Sequence, residues 1–127
     1  MESNTYQKII EDYIEASNNF DVENMLAVMH DDIKFENITD GHVTLTAHGR
    51  NELRQQTEKA VQMFEKWEQK ITSVTPVNDQ VEVDIYYHGI LAVDLLNGLK
   101  AGDKIEQKGK SVFRFKDDKI IELKDIS

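Results

Sequence analysis

The sequence has no cysteine, only one proline, and no long apolar run. Without cysteine there is no disulfide, no thiolate nucleophile and no zinc site with sulfur ligands, so cytoplasm is the expected location. No segment approaches the ~18 apolar residues that span a bilayer, and no signal-peptide pattern opens the chain. Positive charge is also scarce, at 15 Lys and Arg against 24 Asp and Glu. This balance disfavours binding to nucleic acid or to an anionic membrane.

The composition is that of one ordinary globular domain. The chain has 127 residues, of which 39% are hydrophobic and 31% are charged. This length buries about two thirds of the unfolded surface in a single core. No linker, repeat or low-complexity segment divides the chain, so residues 1–127 are predicted to form a single domain.

Three helices are predicted in the first half of the chain. Helical spacing of apolar residues runs from Tyr6 to Ser17 and is broken by "SNNFD". Asp21 is the expected N-cap of a short second helix. The third and longest helix is predicted to follow an N-cap at Asn51. Its buried stripe recurs at steps of four and three and comprises Leu53, Thr57, Ala60, Phe64 and Trp67.

Strands are predicted on both sides of the third helix. Alternating patterns occupy residues 33–38 and 43–47, and four more strands are expected near 70–75, 80–93, 103–116 and 119–126. The turns between the later strands are "PVNDQ", Asn97-Gly98 and "KDDK". This order predicts an α+β fold in which the helices pack on one face of a strongly curved, mostly antiparallel sheet.

Polar residues interrupt faces that the alternation assigns to the core. In "DIKFEN", Ile33 and Phe35 are on the dry face, and parity puts Asn37 there too. In the strand 103–116 the apolar face includes Gln107 and Ser111. Each of these, like a phenol from Tyr13 on the first helix, could be an ordinary core group with a backbone or water partner. Several together in one small domain indicate instead a mostly apolar cavity with a few convergent polar groups.

Three motifs resemble one known superfamily. They are "YIEASNNFDVENMLAVMHDDIKFENITDG", "AHGRNELRQ" and "GKSVFRFKDDKIIELKD". In this order they resemble the nuclear-transport-factor-2-like superfamily, especially the SnoaL-like cyclases and the ketosteroid isomerases. The resemblance implies a cone-shaped α+β barrel with one deep pocket, paired as a homodimer across the outer face of the sheet.

The resemblance also implies roles for individual residues. In ketosteroid isomerases an aspartate is the base, and a tyrosine and a protonated aspartic acid bind the oxyanion. Tyr13 falls on the tyrosine, but Asn37 falls on the base and Ser111 on the second donor. An amide does not accept a proton as a carboxylate does, so that isomerase chemistry is not expected here. The cyclase-type relatives have a pocket aspartate on the last strand, which falls near Asp125.

The direction of Asp125 is ambiguous from the pattern alone. Leu123 and Asp125 share a face that composition marks as the inner one, with Ile121. A strict two-residue turn at Asp117-Asp118 would reverse that assignment, whereas a longer bulged turn would preserve it. An inward Asp125 is expected to have a pKa raised by burial. The alternative is an aspartate in solvent near the C-terminus.

The sequence shows no pattern for a metal or a cofactor. The histidines are too far apart to share a metal, and there is no phosphate loop, calcium loop or Ser-His-Asp pattern. No metal and no cofactor is therefore predicted. The leucine-rich loop 94–102 either folds back on the body or forms a lid or part of a dimer contact.

The leading hypothesis is a pocket protein that binds or acts on a small, largely apolar ligand with a carbonyl or hydroxyl group. Phe35, Trp67 and Phe113 are expected to line the pocket. The polar groups expected to orient the ligand are Tyr13, Asn37, Gln107 and Ser111. If the protein is an enzyme, Asp125 is the predicted acid–base group and Tyr13 the donor. The alternative is a non-catalytic dimeric interaction module with a vestigial pocket.

Overall fold

The computed structural model describes residues 3–96 and 98–127. Within them the helices all lie in the first half of the chain, and four strands follow them, as predicted. The helices are α1 (Ser3–Asn18), α2 (Val22–Ala27) and α3 (Gly49–Gln62). The strands are β1 (Met29–Thr39), β2 (His42–His48), β3 (Phe64–Val77), β4 (Gln80–Leu91), β5 (Lys104–Lys116) and β6 (Lys119–Ile126). The predicted α+β class is therefore confirmed.

The strands form one open sheet with the order β2-β1-β6-β5-β4-β3. All neighbouring strands are antiparallel except β1 and β6, which are parallel. The helices α1 and α3 pack against strands of this sheet. The fully buried side chains between the layers include Ile10, Leu26, Ile33, Val83, Phe113 and Leu123. Among the described residues, no helix is long and apolar enough to cross a bilayer.

The predicted N-cap is right for α2 and wrong for α3. The Asp21 carboxylate accepts a hydrogen bond from the backbone N–H of Asn24 at 3.2 Å, which makes Asp21 the N-cap of α2. Helix α3 begins at Gly49, ahead of the predicted cap at Asn51, and its N-cap is His48. His48 makes no side-chain cap hydrogen bond, but the Glu52 carboxylate accepts a hydrogen bond from the backbone N–H of His48 at 3.0 Å. Helix α1, with 16 residues, is longer than α3.

Two aromatic residues assigned to α3 belong to β3. The helix ends at Gln62, and Phe64 and Trp67 pair with Leu91 and Gly89 on β4. A spacing of three fits one face of a helix, but a register shift at the start of β3 also lets both rings point to one side of a strand. Gly89 makes room for the Phe64 ring, because a Cβ there would lie only 3.1 Å from it.

A bulge in β6 sets the direction of Asp125. The hairpin turn has two residues, Asp117 and Asp118, both with positive φ, and it pairs Phe115 with Ile120. The expected longer turn is therefore wrong. The register then shifts by one residue, so that beyond the bulge Ser111 pairs with Asp125. The two-residue turn is therefore compatible with the inward direction that composition predicts for Asp125, and Asp125 faces the helices.

The leucine-rich loop between β4 and β5 is closed by its own backbone. Strand β4 ends at Leu91, whose carbonyl accepts a hydrogen bond from the Gly102 N–H at 2.8 Å. The Leu95 N–H donates to the Leu99 carbonyl at 2.7 Å, and Leu96 is fully exposed at the tip. Asn97, the first residue of the predicted Asn-Gly turn, lies outside the described residues.

Candidate functional site

A cavity of about 250 Å³ lies between the helices and the inner face of the sheet. All three helices contribute to its walls, together with strands β1, β2, β3 and β6. Most of the lining is apolar and includes Phe20, Met25, Phe35, Leu45, Leu53 and Trp67. The polar groups that reach it are few, and one of them is the carboxyl of Asp125. Such a lining is typical of a site for a small, largely apolar molecule.

Asp125 is the one carboxyl among the described residues that line this cavity. Its strand neighbours are Asn37 on β1 and Ser111 on β5. The Ser111 hydroxyl donates a hydrogen bond to Oδ1 of Asp125 at 2.7 Å. Burial raises the pKa of Asp125 to about 6, and the hydrogen bond from Ser111 acts in the opposite direction. The carboxyl can therefore both accept and release a proton near neutral pH.

Two phenols flank the carboxyl. Burial raises the pKa of Tyr13 well above its usual value, and the nearby Asp125 and Tyr87 add to the shift. Burial and Asp125 also raise the pKa of Tyr87, while a hydrogen bond with Ser111 acts against them. Both tyrosines thus remain protonated hydrogen-bond donors at neutral pH.

The Tyr13 hydroxyl is available to a ligand. The ring is buried, and its hydroxyl has no hydrogen-bond partner in the described part of the chain. In the same region no buried side-chain nitrogen or oxygen is without a partner. The hydroxyl must therefore reach the cavity surface, and Tyr13 does line the cavity. It offers an unused donor on the same side as the Asp125 carboxyl.

Tyr87 is a functional candidate that the sequence reasoning missed. It follows Val81, Val83 and Ile85 at a spacing of two, so alternation along β4 was a signal that it faces inward. Gly109 on β5 makes room for it, because a Cβ there would lie 2.6 Å from the Tyr87 ring. This close packing brings the phenol toward Ser111 and Asp125.

The family model of the SnoaL-like domain matches residues 10–123. The chain belongs to the SnoaL-like family. A search of curated proteins found no match.

Solved structures share the fold at low sequence identity. One is a candidate polyketide cyclase from Xanthomonas campestris, with a TM-score of 0.79, 18% identity, and coverage of 98% of this chain and 90% of that one. Another is an epoxide hydrolase, described as LEH-like, from Mycobacterium tuberculosis. It has a TM-score of 0.72 and 18% identity, and the alignment covers 94% of this chain and 79% of that one. At this identity the likeness shows the fold and leaves the chemistry open.

Asn37 of this SnoaL-like domain lines the cavity, as predicted from the strand alternation. Its amide nitrogen donates to the hydroxyl oxygens of Thr44 at 2.9 Å and Thr39 at 3.3 Å. The Thr44 hydroxyl in turn donates to the Asn37 backbone carbonyl at 3.2 Å. Because that hydroxyl proton is used, Thr44 must accept from the amide nitrogen, which leaves the amide oxygen of Asn37 for a ligand.

The other predicted lining residues of the SnoaL-like domain are in three different places. Phe35 and Trp67 line the cavity. Phe113 has no exposed surface and contacts the Tyr13 ring edge-on, with the centroids 6.0 Å apart, so it supports the lining from below. Ser111 is also buried, and its hydroxyl donates to Asp125, so it does not form part of the lining. Gln107 lines a second, neighbouring cavity.

Proposed function

We propose that this protein binds a small, largely apolar ketone and moves a proton at the carbon next to its carbonyl group, with Asp125 as the base. One observation carries the proposal. A carboxyl whose pKa is raised to about 6 opens into an apolar cavity, and the unused phenol of Tyr13 opens into the same cavity. A base that titrates near the working pH and a donor for the carbonyl oxygen are the two groups this chemistry requires.

The steps follow from the two groups. The ligand carbonyl oxygen accepts a hydrogen bond from the Tyr13 hydroxyl, and the Asp125 carboxylate takes the proton from the neighbouring carbon. The electron pair of that C–H bond becomes the carbon–carbon double bond of an enolate, and negative charge moves to the oxygen beside Tyr13. Return of the proton from the Asp125 carboxylic acid to carbon restores the base. In a cyclase the enolate carbon attacks a second carbonyl group of the same molecule instead, and the acid protonates the new alkoxide.

The test is hydrogen–deuterium exchange of α-tetralone in D₂O, followed by proton NMR. This ketone is apolar and small enough for the cavity, and exchange needs only the first step and its reversal. The protein is expected to exchange the protons next to the carbonyl faster than buffer at the same pH. Exchange no faster than in buffer, in a sample that binds the ketone, would contradict the proposed chemistry.

The alternative of an interaction module with a vestigial pocket predicts that side chains fill the interior. The unfilled volume of about 250 Å³, with a carboxyl and a phenol at its surface, supports the hypothesis that the cavity binds a small molecule.

We also propose that two copies pair through the outer face of the sheet. This face is rich in charge, with Lys110 3.0 Å from Glu82, but Tyr86, His88 and Val112 interrupt it. Light scattering at micromolar concentration is expected to give twice the chain mass of 14.7 kDa. A mass of one chain under these conditions would rule out the dimer.

A further inference from the structure

A second cavity, of about 280 Å³, adjoins the first one. Five residues line both cavities, among them Asp125, Asn37, Gln69 and Trp67. The new cavity extends along the sheet to Gln107, Tyr87 and Ile105. In the sheet register Gln69 pairs with Tyr87, and Tyr87 pairs with Gln107, so these three side chains form one row across β3, β4 and β5. Asp125 therefore lies at the junction of two spaces with different linings.

The second cavity has hydrogen-bond acceptors that the protein leaves unused. The Asn37 amide nitrogen is bound by threonine hydroxyls. The Gln69 amide nitrogen donates to the Ser17 hydroxyl at 3.0 Å. In the described part of the chain, the amide oxygens of Asn37 and Gln69 and the whole amide of Gln107 have no side-chain hydrogen bond. Gln107 is an exposed residue. Because no buried polar side-chain atom of the described residues is without a partner, the amide oxygens of the half-buried Asn37 and Gln69 must also lie at an accessible surface.

The charge of the lining limits what these acceptors can bind. Among the described residues that line either cavity, none is Lys, Arg or His, and the side-chain charge comes from Asp125 alone. A carboxylate or phosphate on the ligand would find no cation there and would be repelled by Asp125. A neutral group with N–H or O–H donors matches amide oxygens without this penalty.

We infer that the second cavity is the other half of one binding site, which takes a neutral hydrogen-bond-donating substituent of the ligand whose apolar body occupies the first cavity. This inference rests on the proposed function only in placing the reacting carbon at the junction, beside Asp125. The ligand class is then an uncharged, two-part molecule: a ring system or chain with a ketone, and a hydroxyl or carboxamide group beyond it. Gln107, which lines the second cavity and not the first, is the residue that selects the substituent.

Trp67 makes binding measurable without catalysis. It is the only tryptophan of the sequence and lines both cavities, so its fluorescence reports occupancy of either one. Three probes share one tetralone skeleton and carry a carboxamide, its methyl ester or the free carboxylic acid. The carboxamide has N–H donors, the ester is neutral without them, and the acid is an anion at neutral pH. The carboxamide is expected to bind about fivefold more tightly than the ester, the worth of one net hydrogen bond. The acid is expected to bind the most weakly.

Two variants locate the effect. Gln107→Leu is expected to remove the preference for the carboxamide over the ester. Gln56→Leu, a matched change at a residue that lines the first cavity alone, is expected to keep the preference. Equal binding of carboxamide and ester, strongest binding of the acid, or a preference that survives Gln107→Leu would overturn the inference. Because the readout is fluorescence, a protein that binds by this pattern but exchanges no protons would refute the proposed chemistry and leave the second half of the site standing.

Discussion

Replacing Asp125 with asparagine is expected to slow the exchange of α-tetralone by about 10²–10⁴-fold, the usual contribution of a positioned general base. The change is small in structural terms. The asparagine side chain has the same shape, and its amide oxygen still accepts the hydrogen bond that Ser111 donates at 2.7 Å. What disappears is the ability to take up a proton, because an amide is not basic in water.

The matched control is Asp118→Asn. Asp118 is an exposed aspartate in the β5–β6 turn, where its φ of 61° suits asparagine as well. This control is expected to leave exchange unchanged. Binding of the tetralone, read from Trp67 fluorescence, should persist in Asp125→Asn. A variant that binds the ketone and still exchanges its protons at the wild-type rate would mean that Asp125 is not the base.

Replacing Phe113 with alanine is expected to cost about 3–5 kcal/mol in the free energy of unfolding. The ring has no exposed surface and packs between Tyr13 and Phe115, with ring centroids 6.0 Å and 6.4 Å away. The layer beneath the cavity cannot collapse fully around the smaller side chain, so a void adds to the lost burial. Because Phe113 supports the Tyr13 ring, the site should also lose its rigid donor.

Urea denaturation followed by circular dichroism measures this cost. Phe20→Ala is the matched control, since Phe20 is a half-buried ring on the cavity wall, where truncation enlarges a space that already exists. A smaller loss is expected there. If Phe113→Ala costs no more than Phe20→Ala, then Phe113 is not part of a packed layer under the site.

Strand alternation predicts more of this site than helical periodicity does. It places Asn37 on an inner face, and composition places Asp125 on one, because side chains of a strand point to opposite sides at a fixed period of two. The conflict at the β5–β6 hairpin arose because a single bulge changes that parity and carries no clear signal in the sequence. The structure satisfies both constraints by placing the extra residue inside β6, after a tight turn.

The errors come from contacts between distant segments. Phe64 and Trp67 fit the helical stripe of α3, and pairing with β4 places them in a strand instead. The role of Ser111 as support for Asp125, and the second cavity along Gln69, Tyr87 and Gln107, depend on the register of neighbouring strands. A pattern within one segment does not contain that register.

The most direct test of the central claim is the titration of the Asp125 carboxyl itself by carbon-13 NMR, with Asp125→Asn used to assign the resonance. The expected pKa is about 6, because burial disfavours the charged form more than the Ser111 hydrogen bond favours it. Ser111→Ala should raise that pKa further. In the wild-type protein, the fraction of Asp125 present as a base, and with it the exchange rate, should rise with pH through about 6. A pKa near 4, the ordinary value for an aspartate in water, would place the carboxyl in solvent and contradict the proposed site.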